Sequence, residues 1–249
     1  MGILENKIAV VTGASSGIGR AAALLFAAEG AKVVINARGK SALESVAQRI
    51  RDAGGRAQIV IGDVSSAETQ KELVAEAVTV FGGLDIAFNN AGTVGALKPI
   101  ADMTPEEWSQ TITTNLTAAF LASRCQIPAM LEREGGSIVF TSSFVGTSVG
   151  LPGMTAYAAS KAGLMGLVKG IAADYGANNI RANALLPGGT DTGMAGDQAQ
   201  KDWAAGLHAM KRIAQPEEIA QAALFLAGPA SSFVTGSALF ADGGNSAVK

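Results

Sequence analysis

The 249-residue chain balances 21 acidic against 19 basic side chains, and 16% of its residues are charged while 48% are hydrophobic. It therefore has the apolar mass for a substantial core and lacks the basic excess of a nucleic-acid binder. A lone cysteine excludes an intrachain disulfide, and with a lone histidine it leaves too few soft ligands for a zinc-type alcohol dehydrogenase site, so no metal is expected.

The longest apolar runs, such as residues 21–28, are too short to span a membrane. Glu5 and Lys7 fall where a signal sequence would turn apolar, which makes cytoplasmic residence the expectation. Residues 7–12 form a β-branched run that ends at Gly13-Ala-Ser-Ser-Gly17-Ile-Gly19, followed by an Ala/Leu-rich helix pattern over 20–29. Strand, glycine turn and helix in that order bring backbone amides at a helix N-terminus close to a pyrophosphate. The spacing is G-x-x-x-G-x-G, and taken alone it is weak, since a plain turn also uses glycine.

A second strand over 31–36 ends in Ala37-Arg38. An acidic residue at this place binds the adenosine ribose diol. Ala37 cannot do so, whereas Arg38 can pair with a 2′-phosphate through charge-assisted bonds of roughly 1.5–3 kcal/mol. NADP(H) is accordingly favoured over NAD(H). A helix over 41–53 with Ser41 as its N-cap stops at Gly54-Gly55, and a third strand over 56–61 leads to Asp63-Val64. Asp63 suits an adenine amino group or the cap of a helix starting near Ser66.

The fourth strand, 84–88, runs into Asn89-Asn90-Ala91-Gly92, where the amides suit backbone tethering and the small residues suit a passing ribose. Thr104 and Pro105 mark a helix start, and the helix is expected to continue through Asn115, where asparagine is mildly unfavourable and so suggests a task. Cys125 reads as a buried helix residue. A fifth strand, 137–141, is followed by Ser142-Ser143 at the strand end where parallel sheets bind ligands, then by a glycine-spaced loop from Gly146 to Gly153.

Tyr157-Ala-Ala-Ser-Lys161 follows, and on a helix the phenol and the ammonium share one face. A cation about 4 Å away supplies roughly 4 kcal/mol at an effective dielectric of 20, enough to lower a tyrosine pKa by two to three units. Such a pair serves as a general acid for carbonyl reduction or a base for alcohol oxidation. After a sixth strand, 180–186, and Pro187-Gly188, the segment 190–212 has weak periodicity and reads as a substrate lid, with His208 near its end expected to face solvent. A helix from Pro216 to about Gly228 and a short strand over 237–241 complete one domain covering 1–249. The strand–helix alternation predicts an α/β doubly wound parallel sheet of about seven strands with helices on both faces, a Rossmann-type fold.

Thr12-Gly13-x-x-x-Gly17-x-Gly19, Asn89-Asn90-Ala91-Gly92, Ser143, Tyr157-x-x-x-Lys161 and Pro187-Gly188 occur together in an order that closely resembles the short-chain dehydrogenase/reductase family over nearly the whole chain. The resemblance implies Tyr157 as acid/base, Ser143 as donor to the substrate oxygen, Lys161 on the nicotinamide ribose, and Asn115 anchoring a water that leads protons away. It implies cofactor contacts from Gly13, Ser15, Ser16, Gly17, Ile18 and Gly19, from Arg38, Asp63 and Val64, and from Asn90, Ala91 and Gly92. Tyr157 and Lys161 contribute as well, as do Pro187, Gly188, Thr190 and Thr192.

The fourteen positions from Ser143 to Tyr157 are one more than in many relatives, which leaves Ser142 as the alternative serine. The chain also resembles the 3-oxoacyl-carrier-protein reductase-like subgroup, yet Glu132-Arg133-Glu134 and Ala177-Asn178-Asn179 offer little to an acidic carrier. A small ketone, aldehyde or secondary alcohol with an apolar portion fits better, with Leu151, Met154, Met194 and Trp203 as candidate lining. A homotetramer is implied by analogy, through helices at 104–130 and 155–175 and the last strand. Two other readings stand beside this one: an NAD-dependent dehydrogenase working oxidatively, and a non-catalytic dinucleotide sensor, against which the presence of both Tyr157 and Lys161 weighs.

Overall fold

The computed structural model describes residues 2–248. Seven strands form one parallel sheet: β1 (Ile8–Thr12), β2 (Lys32–Ala37), β3 (Arg56–Ile61), β4 (Ile86–Asn89), β5 (Gly136–Thr141), β6 (Ile180–Pro187) and β7 (Ala238–Ala241), in the order β3-β2-β1-β4-β5-β6-β7. Every residue of β1 is buried, as a strand covered on both faces requires. Alternate residues feed two cores. Ala9 and Val11 join Phe26, Leu43 and Leu224 on one face, whereas Ile8 and Val10 join Leu73, Met130 and Leu164 on the other.

Helices α1 (Gly17–Ala28), α2 (Lys40–Asp52) and α8 (Pro216–Ala227) cover the first face, and α3 (Ala67–Glu76), α5 (Ala118–Leu131) and α6 (Thr155–Tyr175) the second. Two more helices, α4 (Pro105–Ile112) and α7 (Gln198–Gly206), complete the set. The chain crosses from β3 at one edge to β4 on the far side of β1. That switch opens a crevice at the C-terminal ends of β1 and β4, which is where sheets of this kind bind ligands. No helix among the described residues is long and apolar enough to cross a membrane.

Four local expectations change. Helix α2 begins one residue earlier than expected, with Gly39 rather than Ser41 at its N-cap. The helix entered at Thr104 does start with a capping box, Thr104 accepting from the Glu107 amide at 3.2 Å and Glu107 from the Thr104 amide at 2.9 Å. It does not run through Asn115 as an α-helix, because residues 113–117 form a π turn between α4 and α5. Cys125 is only half-buried, since Ala122, Ser123 and Gln126 take the inward face of α5. His208, finally, is buried.

Candidate active site

The turn after β1 is built by conformations that side chains resist. Gly13 and Gly17 have φ of +67° and +52°, and a Cβ on Gly19 would run into the Gly13 carbonyl. A Cβ on Gly17 would approach Thr192 Cγ2 to 2.9 Å, so Thr192 lies directly against the turn. Ser16 is the exposed N-cap of α1 yet spends its hydroxyl on no capping bond. Ser15 and Ile18 are partly exposed, the latter packed on the first core. Bare backbone, unpartnered first-turn amides and a spare hydroxyl form a cradle that fits a pyrophosphate.

At the end of β2, Ala37 is buried and Arg38 exposed, so no carboxylate stands where a ribose diol would be read. Asp63 accepts from the Ser65 hydroxyl at 2.6 Å and the Ser65 amide at 2.8 Å; these bonds, with a smaller pull from Arg38, hold its carboxyl below the usual range. Ser66, not Asp63, is the N-cap of α3. Val64 is buried, its carbonyl accepting from Gln70 at 2.7 Å.

Asn90 knits three strands together. Its amide nitrogen donates to the Thr12 carbonyl at 3.1 Å and its oxygen accepts from the Thr141 hydroxyl at 3.1 Å, while Thr12 Oγ1 accepts from the backbone amides of Asn90 and Ala91 at 3.0 and 3.1 Å. Gly92 passes so close that a Cβ there would stand 3.1 Å from Asn115 Oδ1 and 3.3 Å from Lys161 Nζ. Thr12 makes this junction possible, and the glycine motif around it drew attention away from its hydroxyl.

The π turn explains the mid-helix asparagine. Asn115 is buried, accepts from the Thr93 amide at 2.8 Å, and donates to the Thr93 carbonyl at 2.8 Å and to Ser160 Oγ at 2.9 Å. Ser160 in turn donates to the Tyr157 carbonyl at 2.7 Å. A π turn re-aims one side chain out of the α-helical stripe, and here it sends an amide into the crevice floor. Thr93 and Ser160 escaped the sequence reading; Ser160, inside the Tyr-Ala-Ala-Ser-Lys run, was the more findable of the two.

Of the two adjacent serines, Ser142 donates to the Lys161 carbonyl at 2.8 Å, whereas Ser143 Oγ accepts from the Val145 amide at 3.1 Å and faces the Tyr157 phenol closely enough to oppose the rise in its pKa. Successive residues leaving a strand point to opposite sides, so only one serine can do each job. The longer connection to Tyr157 is taken up locally, where Thr147 Oγ1 donates to the Ser143 carbonyl at 2.6 Å.

Lys161 is 4% exposed and donates to the Thr141 carbonyl at 2.6 Å, with Nζ 5.7 Å from the centre of the Tyr157 ring. Burial brings its pKa down to about 8. The expected lowering of the Tyr157 pKa is not what the packing produces. Desolvation around the phenol pushes it up, and Ser143 opposes that only in part, the ammonium being aimed at Thr141 instead.

Pro187 ends β6, buried, and Thr190 Oγ1 donates to the Gly188 carbonyl at 3.0 Å. The following segment is a short 3₁₀ turn capped by Thr192 and then α7, none of whose residues is fully buried. Met194 and Trp203 are 56% and 58% exposed. His208, expected at the surface, is instead 2% exposed: Nδ1 donates to the Ala204 carbonyl at 2.7 Å and Nε2 accepts from the Gly189 amide at 2.9 Å. A helix that buries nothing of its own needs an anchor, and weak periodicity concealed that this lone histidine supplies it.

Similarity to known proteins extends over nearly the whole chain. A family profile described as Enoyl-(Acyl carrier protein) reductase matches residues 13–246. The 2,5-dichloro-2,5-cyclohexadiene-1,4-diol dehydrogenase of Sphingobium indicum is 41% identical over the whole of both chains. Cyclohexanol dehydrogenase of an Acinetobacter species is 38% identical, over 96% of this chain and 94% of its own. The 3-oxoacyl-acyl-carrier-protein reductase of Thermotoga maritima is 40% identical, over 97% and 98%. Among solved structures, a short-chain type dehydrogenase/reductase from Mycobacterium marinum superposes with a TM-score of 0.92 at 34% identity, over 97% of this chain and 96% of its own.

Proposed function

The chain belongs to the short-chain dehydrogenase/reductase family, and from that membership we propose that it moves hydride between NADP(H) and a small carbonyl or secondary alcohol with an apolar portion. The observation that carries the reading is the Tyr157 phenol facing Ser143, with the buried Lys161 ammonium 5.7 Å from its ring, at the C-terminal end of β5. The cofactor, when bound, supplies or accepts the hydride.

This chain's own residues handle the proton and the oxygen. Ser143 and Tyr157 present two hydroxyls that hold a carbonyl oxygen and stabilise the charge that grows on it. Tyr157 gives that oxygen its proton in reduction and takes it back in oxidation. A phenol whose pKa is held up by burial is protonated at neutral pH and is ready as a donor. Lys161 would hold a cofactor hydroxyl, and Asn115, locked between Thr93 and Ser160, keeps the floor of the site polar.

Arg38 and the absence of a carboxylate at Ala37 support NADP(H). The expected outcome of Arg38→Ala is a roughly 10- to 100-fold rise in KM for NADPH with NADH nearly unaffected, from the loss of about 1.5–3 kcal/mol of charge-assisted bonding. Equal losses for both cofactors would remove the arginine from this role.

A second reading, oxidation of a cyclic secondary alcohol with NAD, draws support from relatives named for a cyclohexadienediol and for cyclohexanol. Paired initial rates with NAD and NADP on cyclohexanol decide between the two. A homotetramer belongs to the proposal, supported by exposed Phe120 on α5 and Phe240 on β7. A monomeric mass by light scattering at micromolar protein would contradict it.

A further inference from the structure

Between Asp191 and Gln215, His208 is the only buried residue. Its imidazole touches three parts of the site at once. It bonds the Ala204 carbonyl of α7 and the Gly189 amide just after β6, and it meets Phe144, the residue following Ser143, edge to face at 6.2 Å and 69°. The two glycines let the ring in close: a Cβ on Gly188 would come within 2.5 Å of His208 Nε2, and one on Gly189 within 3.1 Å of Cε1.

Both bonds form together only in the neutral ring that carries its proton on Nδ1, because the Gly189 amide is a donor and needs Nε2 as acceptor. The backbone nearby is held less specifically, with Asn245 donating to the Leu207 carbonyl at 3.0 Å and the Met210 amide to the Gly243 carbonyl at 3.1 Å. Those ties fix the base of the segment, and Lys201 of α7 pairs with Asp191 at 2.7 Å; the imidazole adds the link from α7 to Gly189 and to Phe144 beside Ser143.

We propose that His208 is a positioning residue that latches α7 over the site, so that the exposed Met194 and Trp203 are held where substrate and cofactor are enclosed. The proposal rests on the hydride-transfer reading for its kinetic consequence, but the latch itself is a property of the protein alone. Losing it weakens enclosure more than chemistry, since no atom of His208 reaches Tyr157 or Lys161 in the bonds it makes.

The test uses the full chain with Trp108→Phe, which leaves Trp203 as the sole tryptophan. His208→Leu keeps apolar bulk without an acceptor, and His208→Gln offers an amide oxygen to Gly189. The expected result is a roughly tenfold or larger rise in KM for NADPH and for cyclohexanone in the leucine variant, with kcat within about threefold and a lower Trp203 anisotropy. The glutamine variant should recover most of both changes. Unchanged KM and anisotropy in the leucine variant, or a leucine and a glutamine variant that behave alike, would overturn the latch. Failure of the unsubstituted protein to bind NADPH or NADH would overturn the hydride-transfer reading instead, and the Trp203 anisotropy would still decide the latch.

Discussion

The block formed by Asn115, Ser143, Tyr157 and Lys161 and the segment 190–212 border the same crevice and are built in opposite ways. In the block the groups around the phenol are fixed: Asn115 makes three bonds, Lys161 donates to Thr141, Ser143 accepts from Val145, and Ser142 ties down the Lys161 backbone. In the segment α7 buries no residue, and its large side chains stand in solvent. Proton transfer needs groups placed within a fraction of an ångström, whereas admitting and enclosing a substrate needs an element that can move. Substitutions in the first region should therefore act on kcat and those in the second on KM.

The largest effect on the first region should come from Lys161→Met. Activity should fall by at least about a hundredfold, in the range of lost acid–base assistance. Stability should move the other way. A lysine with a folded pKa of about 8 against a reference of 10.5 destabilises the fold by roughly 3 kcal/mol at neutral pH. Because the unfolded chain holds the proton more tightly, that penalty is present in full below pH 8 and is relieved as pH rises from 8 to 10.5. Urea denaturation should show the variant about 1–3 kcal/mol more stable at pH 7, with the gap closing by pH 10.5. A variant that is less stable at pH 7 would mean that the cation is not strained by burial.

The pH profile sharpens the same contrast. Carbonyl reduction should hold steady below pH 8 and then fall by up to about tenfold per unit as Lys161 loses its proton, while alcohol oxidation rises only at higher pH, because burial keeps the Tyr157 phenol protonated beyond the ordinary range. A reduction rate flat to pH 10 would separate the ammonium from the chemistry. The smallest effect belongs to the exposed side. Trp203→Ala should raise substrate KM by a few-fold and change kcat by less than about twofold, as expected for lost apolar contact at a half-exposed position. A kcat loss as large as that of Lys161→Met would erase the distinction between the two regions.

The same contrast governs what could be read from the chain itself. Buried parallel strands announce themselves as apolar runs, so the sheet was legible from Ile8 to Ala241, and the glycine turn and Tyr157–Lys161 both lie at the C-terminal end of that sheet. Asn115 was legible as an oddity in a helix but not as a π turn, since one extra residue in a turn leaves no compositional trace. The direction of the Tyr157 shift was misjudged because sequence spacing gives a distance between side chains but not the Thr141 carbonyl that claims the ammonium. His208 was misplaced for a similar reason. Its partners are a carbonyl and an amide, which every residue possesses and no sequence pattern reveals.

The central claim, that Tyr157 passes the proton, is tested most directly by Tyr157→Phe, measuring NADPH binding by fluorescence and turnover on cyclohexanone side by side. Binding within about threefold of the original protein, with turnover reduced by roughly a hundredfold or more, is the expected result. Undiminished turnover with binding intact would contradict it.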